Sequence, residues 1–455
     1  MRAHAPCLLA FGIAVASLSG CGATLDPSPE GRISASTGIA NAVAFSVEGG
    51  PLDVAAPETP TLTLADALRR ALAVDPSLQS ALSRVRVAQA DADQARLLPN
   101  PILDVVVRYP RSGGSPDIEA GLVADLISVL GTPWKAGAAT RRLKAAAAEA
   151  VGAALDVVSE TEEAYAAVQT LDELTQVLAR RREIVVRLAE LSRLRFEAGE
   201  GTRTDLVAFE TKQVGLEVER SEREVQRRAA RLRLARLVGE PSSPATWAVE
   251  VWKVPPAPVL TEAEWIEAAL EHRPEVEAAR WRLAALEKDQ ALSWLSPFGT
   301  EGNAGASAER DDGSWSIGPA LSAAIPLLDF GFARRARARA EAAEARHELT
   351  LARRLAVEEV RAAYATFLAA RENVERVRDR LVPLEADRRG RAEATYLAGE
   401  SGLAELLLAE EDLLAAEVKL TELERETTGA RIRLLRAAGG VRPPAETLNT
   451  DADGR

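Results

Sequence analysis

From Leu62 onward, apolar and polar positions recur with a helical period through most of the chain, broken at a few places only. Leu62-Thr63-Leu64-Ala65-Asp66-Ala67-Leu68 opens the first helical pattern with Thr63 as its N-cap. Asp75-Pro76 restarts it, the acid capping and the proline at the first helical position. That helix is expected to reach about Leu98 and to stop at Pro99-Asn100-Pro101. The pattern then turns strand-like over Ile102 to Tyr109, bends through Arg111 to Pro116, and resumes over Ile118 to Ile127. A helical pattern of about 65 residues follows, from Trp134 to Gly199. At 1.5 Å per residue it would span on the order of 100 Å. A return helix runs from Thr204 to about Val238.

The same order then repeats. Leu260-Thr261-Glu262-Ala263-Glu264-Trp265-Ile266 matches Leu62 to Leu68, Thr261 and Glu264 have capping-box spacing, and Pro274 matches Pro76. Strand-like stretches run from Glu301 to Glu309 and from Ser314 to Pro326, around a turn at Asp311-Asp312-Gly313. In the latter, Trp315, Ile317, Leu321, Ala323 and Ile325 alternate with Ser314, Ser316, Gly318, Ala320 and Ser322. Large residues on one face and small ones on the other suit a barrel wall. A second long helix is expected from about Arg334 to Ala398, with a seven-residue seam at Val360, Phe367, Val374 and Leu381 and a kink at Pro383. Its return helix runs from Leu403 to about Ala438. Each long helix ends in an aromatic residue followed by Ala-Gly-Glu: Phe196 to Glu200 in one half, Tyr396 to Glu400 in the other. Gly199, Gly201, Gly399 and Gly402 mark a tight turn at each tip of a long antiparallel helical hairpin. The expected fold is therefore mainly α with a small β part, duplicated. Two strands per half make four, which cannot close a barrel, so the missing strands must come from other copies of the chain.

Composition sharpens this. Aromatics make up only 4% and charged residues 27% of the 455 positions, which favours long helices over an ordinary globular core. The net charge of −12 argues against a nucleic-acid partner. Residues 1–20 read as a signal peptide: a basic start, then an apolar stretch from Cys7 to Leu18 too short to span a membrane. Leu18-Ser19-Gly20-Cys21 has the form of a bacterial lipobox, which makes Cys21 the lipidation site. The segments that follow are an extended N-terminal tether (21–60), a first repeat (61–240), a proline-rich but packed linker (241–259), a second repeat (260–440) and a polar, disordered tail (441–455). No later stretch has eighteen apolar residues, so any spanning part must be a closed barrel of strands.

The duplicated order resembles the TolC-like outer-membrane efflux proteins. The likeness rests on Leu62-Thr63-Leu64 with Asp66-Ala67-Leu68, Leu97-Leu98-Pro99-Asn100-Pro101, Ile325-Pro326-Leu327-Leu328-Asp329-Phe330-Gly331, Leu381 to Ala386 and Tyr396 to Glu400. It covers about residues 60–440, and each motif is weak without the duplicated order. The first half departs at Ser128 to Trp134, where the strand-to-helix junction is expected to be built differently. The resemblance implies a homotrimer whose four strands per chain form one twelve-stranded barrel in the outer membrane of a Gram-negative-type bacterium. It further implies a periplasmic α-barrel whose tips meet an adaptor and an inner-membrane pump. The Leu-Leu-Pro-Asn-Pro stretch leans towards the metal-cation efflux branch.

No catalytic or cofactor chemistry is legible. Of three histidines, His4 lies in the signal, and His272 and His347 read as solvated helix positions; no histidine–cysteine cluster offers a metal site. The expectation is no enzyme, no cofactor and no metal site. The candidate functional residues are the tip carboxylates Glu200, Asp205, Glu400 and Glu405. They read equally as acids capping a helix start or as a ring of negative charge in a narrow mouth. The resemblance supports the ring, since family members carry acidic residues near the constricted end. The leading function is a passive exit duct for substrates handed on by a pump and adaptor. A lipid-anchored periplasmic coiled-coil scaffold or adaptor without a pore is the alternative, which alternating strands at matching places disfavour.

Overall fold

A computed structural model describes residues 29–39, 43–48, 61–109, 116–254, 260–298, 302–311, 314–322 and 327–441. Cys21, the signal and the tail beyond Val441 lie outside the described residues. In chain order the elements are α1 (Pro29–Thr37), β1 (Thr61–Leu62), α2 (Leu64–Val74), α3 (Pro76–Gln94), β2 (Ile102–Arg108), β3 (Asp117–Asp125), α4 (Leu126–Glu197) and α5 (Arg203–Leu237). The second half adds β4 (Ala248–Val249), α6 (Glu262–His272), α7 (Pro274–Leu292), a 3-10 turn (Ser293–Phe298), β5 (Asn303–Asp311) and β6 (Ser314–Ser322). It ends with α8 (Phe332–Arg376), a π-helical turn (Val377–Leu381), α9 (Val382–Leu397) and α10 (Leu403–Ala437).

The expected caps form. Thr63 Oγ1 accepts from the Asp66 N–H at 3.1 Å, and Asp75 Oδ1 accepts from the Ser77 and Leu78 N–H groups. Thr261 and Glu264 cap each other reciprocally. Several boundaries move. Helix α3 ends at Gln94, not Leu98. Strand β6 ends at Ser322; Ala323 and Ile325 lie outside the described residues. Helix α4 starts at Leu126 rather than Trp134, because the Asp125 carboxylate caps it by accepting from the Ser128 N–H at 2.9 Å. It therefore runs straight out of β3 and carries Pro133 inside its first turns, over 72 residues or about 110 Å. In the second half the chain instead breaks at Gly331, which has φ of 70°, so the two junctions do differ. The expected extended tether also contains a helix. Ile33 on α1 is fully buried against α3 and α4, Arg86 on α3 binds Glu30 and Arg32 binds Glu277 on α7, so α1 ties the two halves together.

Helix α4 is the spine. Its alanines (Ala138, Ala147, Ala148, Ala150, Ala154) are buried, which lets α3 and α7 approach closely. Further along it packs with α5 on one side and α10 on another, while α10 packs with α8 and α9. Of the linker's described residues, Ala245 and Trp247 are buried. β4 pairs in parallel with β1, and the Tyr165 hydroxyl donates to the Leu62 carbonyl at 2.8 Å and accepts from the Glu250 N–H at 3.1 Å. The heptad seam holds at Val360, Phe367 and Val374, all buried, and fails at Leu381, which is exposed. The π-helical turn is the cause. One residue too many in that turn rotates everything after it, and it lies directly before Pro383.

Strands β2, β3, β5 and β6 form one antiparallel sheet in that order. Its outer two strands, β2 and β6, each have one unpaired side. Both hairpins hang from the helices by their Ile102/Asp125 and Asn303/Ser322 ends.

Candidate functional site

The two tips are built alike. In the first, the Gly199 N–H donates to the Phe196 carbonyl and the Glu200 N–H reaches back to Arg195 at 2.8 Å. In the second, Gly399 donates to Tyr396 and Glu400 to Thr395 at 2.9 Å. This double return is the Schellman arrangement, and it requires the left-handed φ of 78° at Gly199 and 74° at Gly399. Gly201 is cramped, since a Cβ there would lie 3.0 Å from the Phe196 nitrogen. Gly402 has open space around it and simply precedes α10.

Both tips lie at one end of the molecule. Ile184 and Leu188, near the end of α4, pack in one cluster with Leu407 and Leu414, near the start of α10. Glu200 and Glu400 are exposed on the turns themselves. Glu405 is exposed in the first turn of α10 and lines a groove of about 500 Å³ with Arg388 and Arg391 of α9. Among the described residues, Glu200, Glu400 and Glu405 have no ion-pair partner. Asp205 sits in the first turn of α5. The structure thus brings the four positions to the same end.

The sheet carries a second constellation, which sequence alone does not expose. Residues paired across antiparallel strands share a face, so the register sorts every side chain. On one face lie Leu103, Val105 and Val107 of β2, Ile118 to Ala124 at alternate positions of β3, Ala304, Ala306 and Ala308 of β5, and Trp315, Ile317, Pro319 and Leu321 of β6. Ile317 is 71% exposed and Leu321 79%, so the chain's own helices do not cover this face. The opposite face carries Asp104, Asp117, Glu119, Asp125 and Glu309 against one cation, Arg108, with Ile102, Val106 and Val123 among them. Arg108 binds Glu119 at 3.2 Å, yet Glu119 also stands directly opposite Glu309. No single strand reveals this charge imbalance; it emerges only once the register lines the four strands up.

Deeper in the bundle, a buried charge cluster joins the two hairpins. Glu411 of α10 accepts from Arg181 of α4 and from Lys212 of α5. Burial alone would raise its pKa, but the bonds from Lys212 and Arg181 outweigh that and hold it below the ordinary glutamate value. In sequence, Glu411 reads as one more solvated helix acid, because its partners come from the other half. Among the described residues, no group of histidine, cysteine and carboxylate side chains could hold a metal ion, and no helix is long and apolar enough to cross a membrane.

Comparison with known proteins matches this geometry. The family described as outer membrane efflux protein matches residues 67–240 and 265–440. Protein CyaE of Bordetella pertussis is 28% identical over 441 residues, covering 90% of this chain and 92% of that protein. Among solved structures, the outer membrane protein VceC of Vibrio cholerae superimposes with a TM-score of 0.65 at 22% identity, over 83% of this chain and 96% of that one. The open state of the MtrE outer membrane channel of Neisseria gonorrhoeae gives 0.64 at 17% identity, over 87% and 95%.

Proposed function

Because this chain belongs to the outer membrane efflux protein family, we propose that it is the exit duct of a tripartite efflux system, passively conducting substrates delivered by an inner-membrane pump and a periplasmic adaptor. It is a transport protein and not an enzyme. The observation that carries the reading is the sheet: one face apolar and uncovered, the other holding the carboxylates Asp104, Asp117, Glu119, Asp125 and Glu309, and an unpaired edge on each side. A sheet of that kind is stable in a membrane only when closed, because lipid cannot satisfy the edge N–H and C=O groups. Three copies of a four-stranded sheet make a closed barrel of twelve strands, apolar towards lipid and polar towards water. The helices support the same assembly. Val207, Val214, Val218, Val225 and Leu232 form an exposed apolar stripe along α5, spaced to stay on one helical face, and a homotrimer gives that stripe a partner on the next copy.

In this reading the protein resides in the outer membrane, held also by acyl chains on Cys21, with the α-barrel in the periplasm. The tip carboxylates Glu200, Asp205, Glu400 and Glu405 converge around the threefold axis. With the acidic face of the sheet lining the other end, the duct favours cationic cargo, metal cations among them. The test is a planar-bilayer measurement on purified protein. Stable steps of conductance with cation over anion selectivity are expected. A protein that stays monomeric in detergent, or that never conducts, would overturn the duct. Mass spectrometry of the mature N-terminus tests the lipid on Cys21, with Cys21→Ser as the variant that should carry none.

A further inference from the structure

The apolar face of the sheet has one exception, Arg310. Paired with Ile118 on one side and Trp315 on the other, Arg310 shares their face. Its neighbour Glu309 belongs to the opposite face by strand alternation. Among the described residues it makes no ion pair, and its Nε is buried without a hydrogen-bond partner. Every other position of that face is apolar, so the one cation runs against the pattern rather than blending into a mixed surface.

Its height along the strand matters. β5 leaves the helices at Asn303 and β6 returns to them at Ser322, so Arg310 and Trp315 lie at the end of the sheet away from the helices. Trp315 is separated from Leu321 by six residues, about 20 Å of strand. Tyr109, the first residue past β2, is exposed at the same end. Aromatic residues closing an apolar band are the mark of a membrane–water interface, and a lipid-facing cation is tolerated there far better than at mid-depth. At that depth the available anions are lipid headgroups, and a guanidinium presents two parallel N–H groups that match a phosphate.

We propose that Arg310, flanked by Trp315, binds the phosphate of an anionic lipid headgroup at the outer-leaflet rim of the barrel, once per chain. The proposal rests on the duct reading only in placing this sheet in a membrane.

The experiment uses the full chain, extracted in detergent and supplied with phosphatidylglycerol, with lipid A, or with phosphatidylcholine as the zwitterionic control. Native mass spectrometry counts the retained lipids. Wild type should retain the two anionic lipids over phosphatidylcholine, up to one at this site per chain. Arg310→Gln should lose retention on the order of tenfold, and Arg310→Lys, which keeps the charge but not the fork, should fall between. Millimolar inorganic phosphate should leave retention unchanged. Bilayer conductance of Arg310→Gln should equal wild type, which also shows that the variant folds. Equal lipid retention by Arg310→Gln and wild type overturns the proposal. So does displacement by inorganic phosphate, which would make this a site for the free anion. Reduced conductance in a folded Arg310→Gln trimer would put the side chain in the pore and overturn it too. Failure of the duct itself reads out separately, as a wild-type protein that does not conduct.

Discussion

Glu411 and Arg181 lie 230 positions apart in the chain and meet at 2.7 Å, with Glu411 only 1% exposed. Lys212 completes the contact at 2.5 Å, so one carboxylate of the second hairpin is held by both helices of the first. Apolar residues enclose it: Val177, Ile184 and Leu188 of α4 with Leu407, Leu414 and Val418 of α10. A charge placed in such a seam is stable only while its partners stay, so the two hairpins of one chain are coupled here.

Glu411→Gln should therefore destabilise the protein by about 3 kcal/mol, because it takes the close buried carboxylate from both Arg181 and Lys212 and leaves Arg181 only Glu219 at 3.8 Å. The sign of the pH dependence follows from the depressed pKa. The contribution is fully present above the ordinary glutamate value of about 4.3 and is lost as pH falls below it. Thermal unfolding in detergent across that range tests both statements. A variant as stable as wild type at neutral pH would mean that the apolar seam alone holds the hairpins.

Glu173 should behave oppositely. Burial raises its pKa, and Glu424 and Glu417 add to that against a smaller opposing effect of Arg180. A carboxyl with a raised folded pKa costs stability above its unfolded value, and the cost disappears as the group is protonated on acidification. Glu173→Gln is expected to raise the unfolding temperature at neutral pH and to have no effect at pH 4 or below. Destabilisation by this variant at neutral pH would show that the charge has a favourable partner.

Neutralising Asp205 and Glu405 together should lower cation selectivity and block by multivalent cations, with folding intact. Like charges repel by roughly 1 kcal/mol per pair at 4 Å in water, so the effect on the mouth should weaken as salt is added. Reversal potentials in a bilayer at two salt concentrations measure it. If selectivity does not change, these acids serve only to cap their helices, and the acidic face of the sheet becomes the place to look.

The tip turns can be separated from their acids. Gly399→Ala forces a side chain into a left-handed conformation and should cost about 1–2 kcal/mol. Gly402→Ala meets neither strain nor contact and should be close to neutral. Limited proteolysis at the tips compares the two variants, and equal cleavage would show that the turn does not depend on Gly399.

Much of this architecture was legible because it depends on short-range signals. Thr63, Asp75-Pro76 and Thr261 with Glu264 act within a turn of their own helices, and each caps where expected. The tips were legible because the Gly199 and Gly399 turns need a conformation that few other residues tolerate. What stayed hidden depends on partners remote in sequence. Glu411 differs from a solvated acid only through Arg181 and Lys212. The acidic face of the sheet needs the pairing of Glu119 with Glu309, which no strand specifies alone. Helix α1 escaped notice because its Gly- and Pro-rich surroundings mask Ile33, the residue that anchors it. The failure of the seam at Leu381 has a local cause, the π-helical turn, but a regular seven-residue spacing gives no warning of it.

The return helices α5 and α10 are each 35 residues long. At their far ends the chain makes the same double-return turn again, at Gly239 and Gly439, so in each half the two turns stand the same distance apart. The hairpins are thus pillars of equal height, and the molecule ends in a level rim. Inserting or deleting seven residues in both arms of one hairpin alone would preserve their apolar faces yet raise or lower one tip by about 10 Å. A ring seated on such a stepped rim would leak. Changes of length should therefore be tolerated only when made in both halves at once.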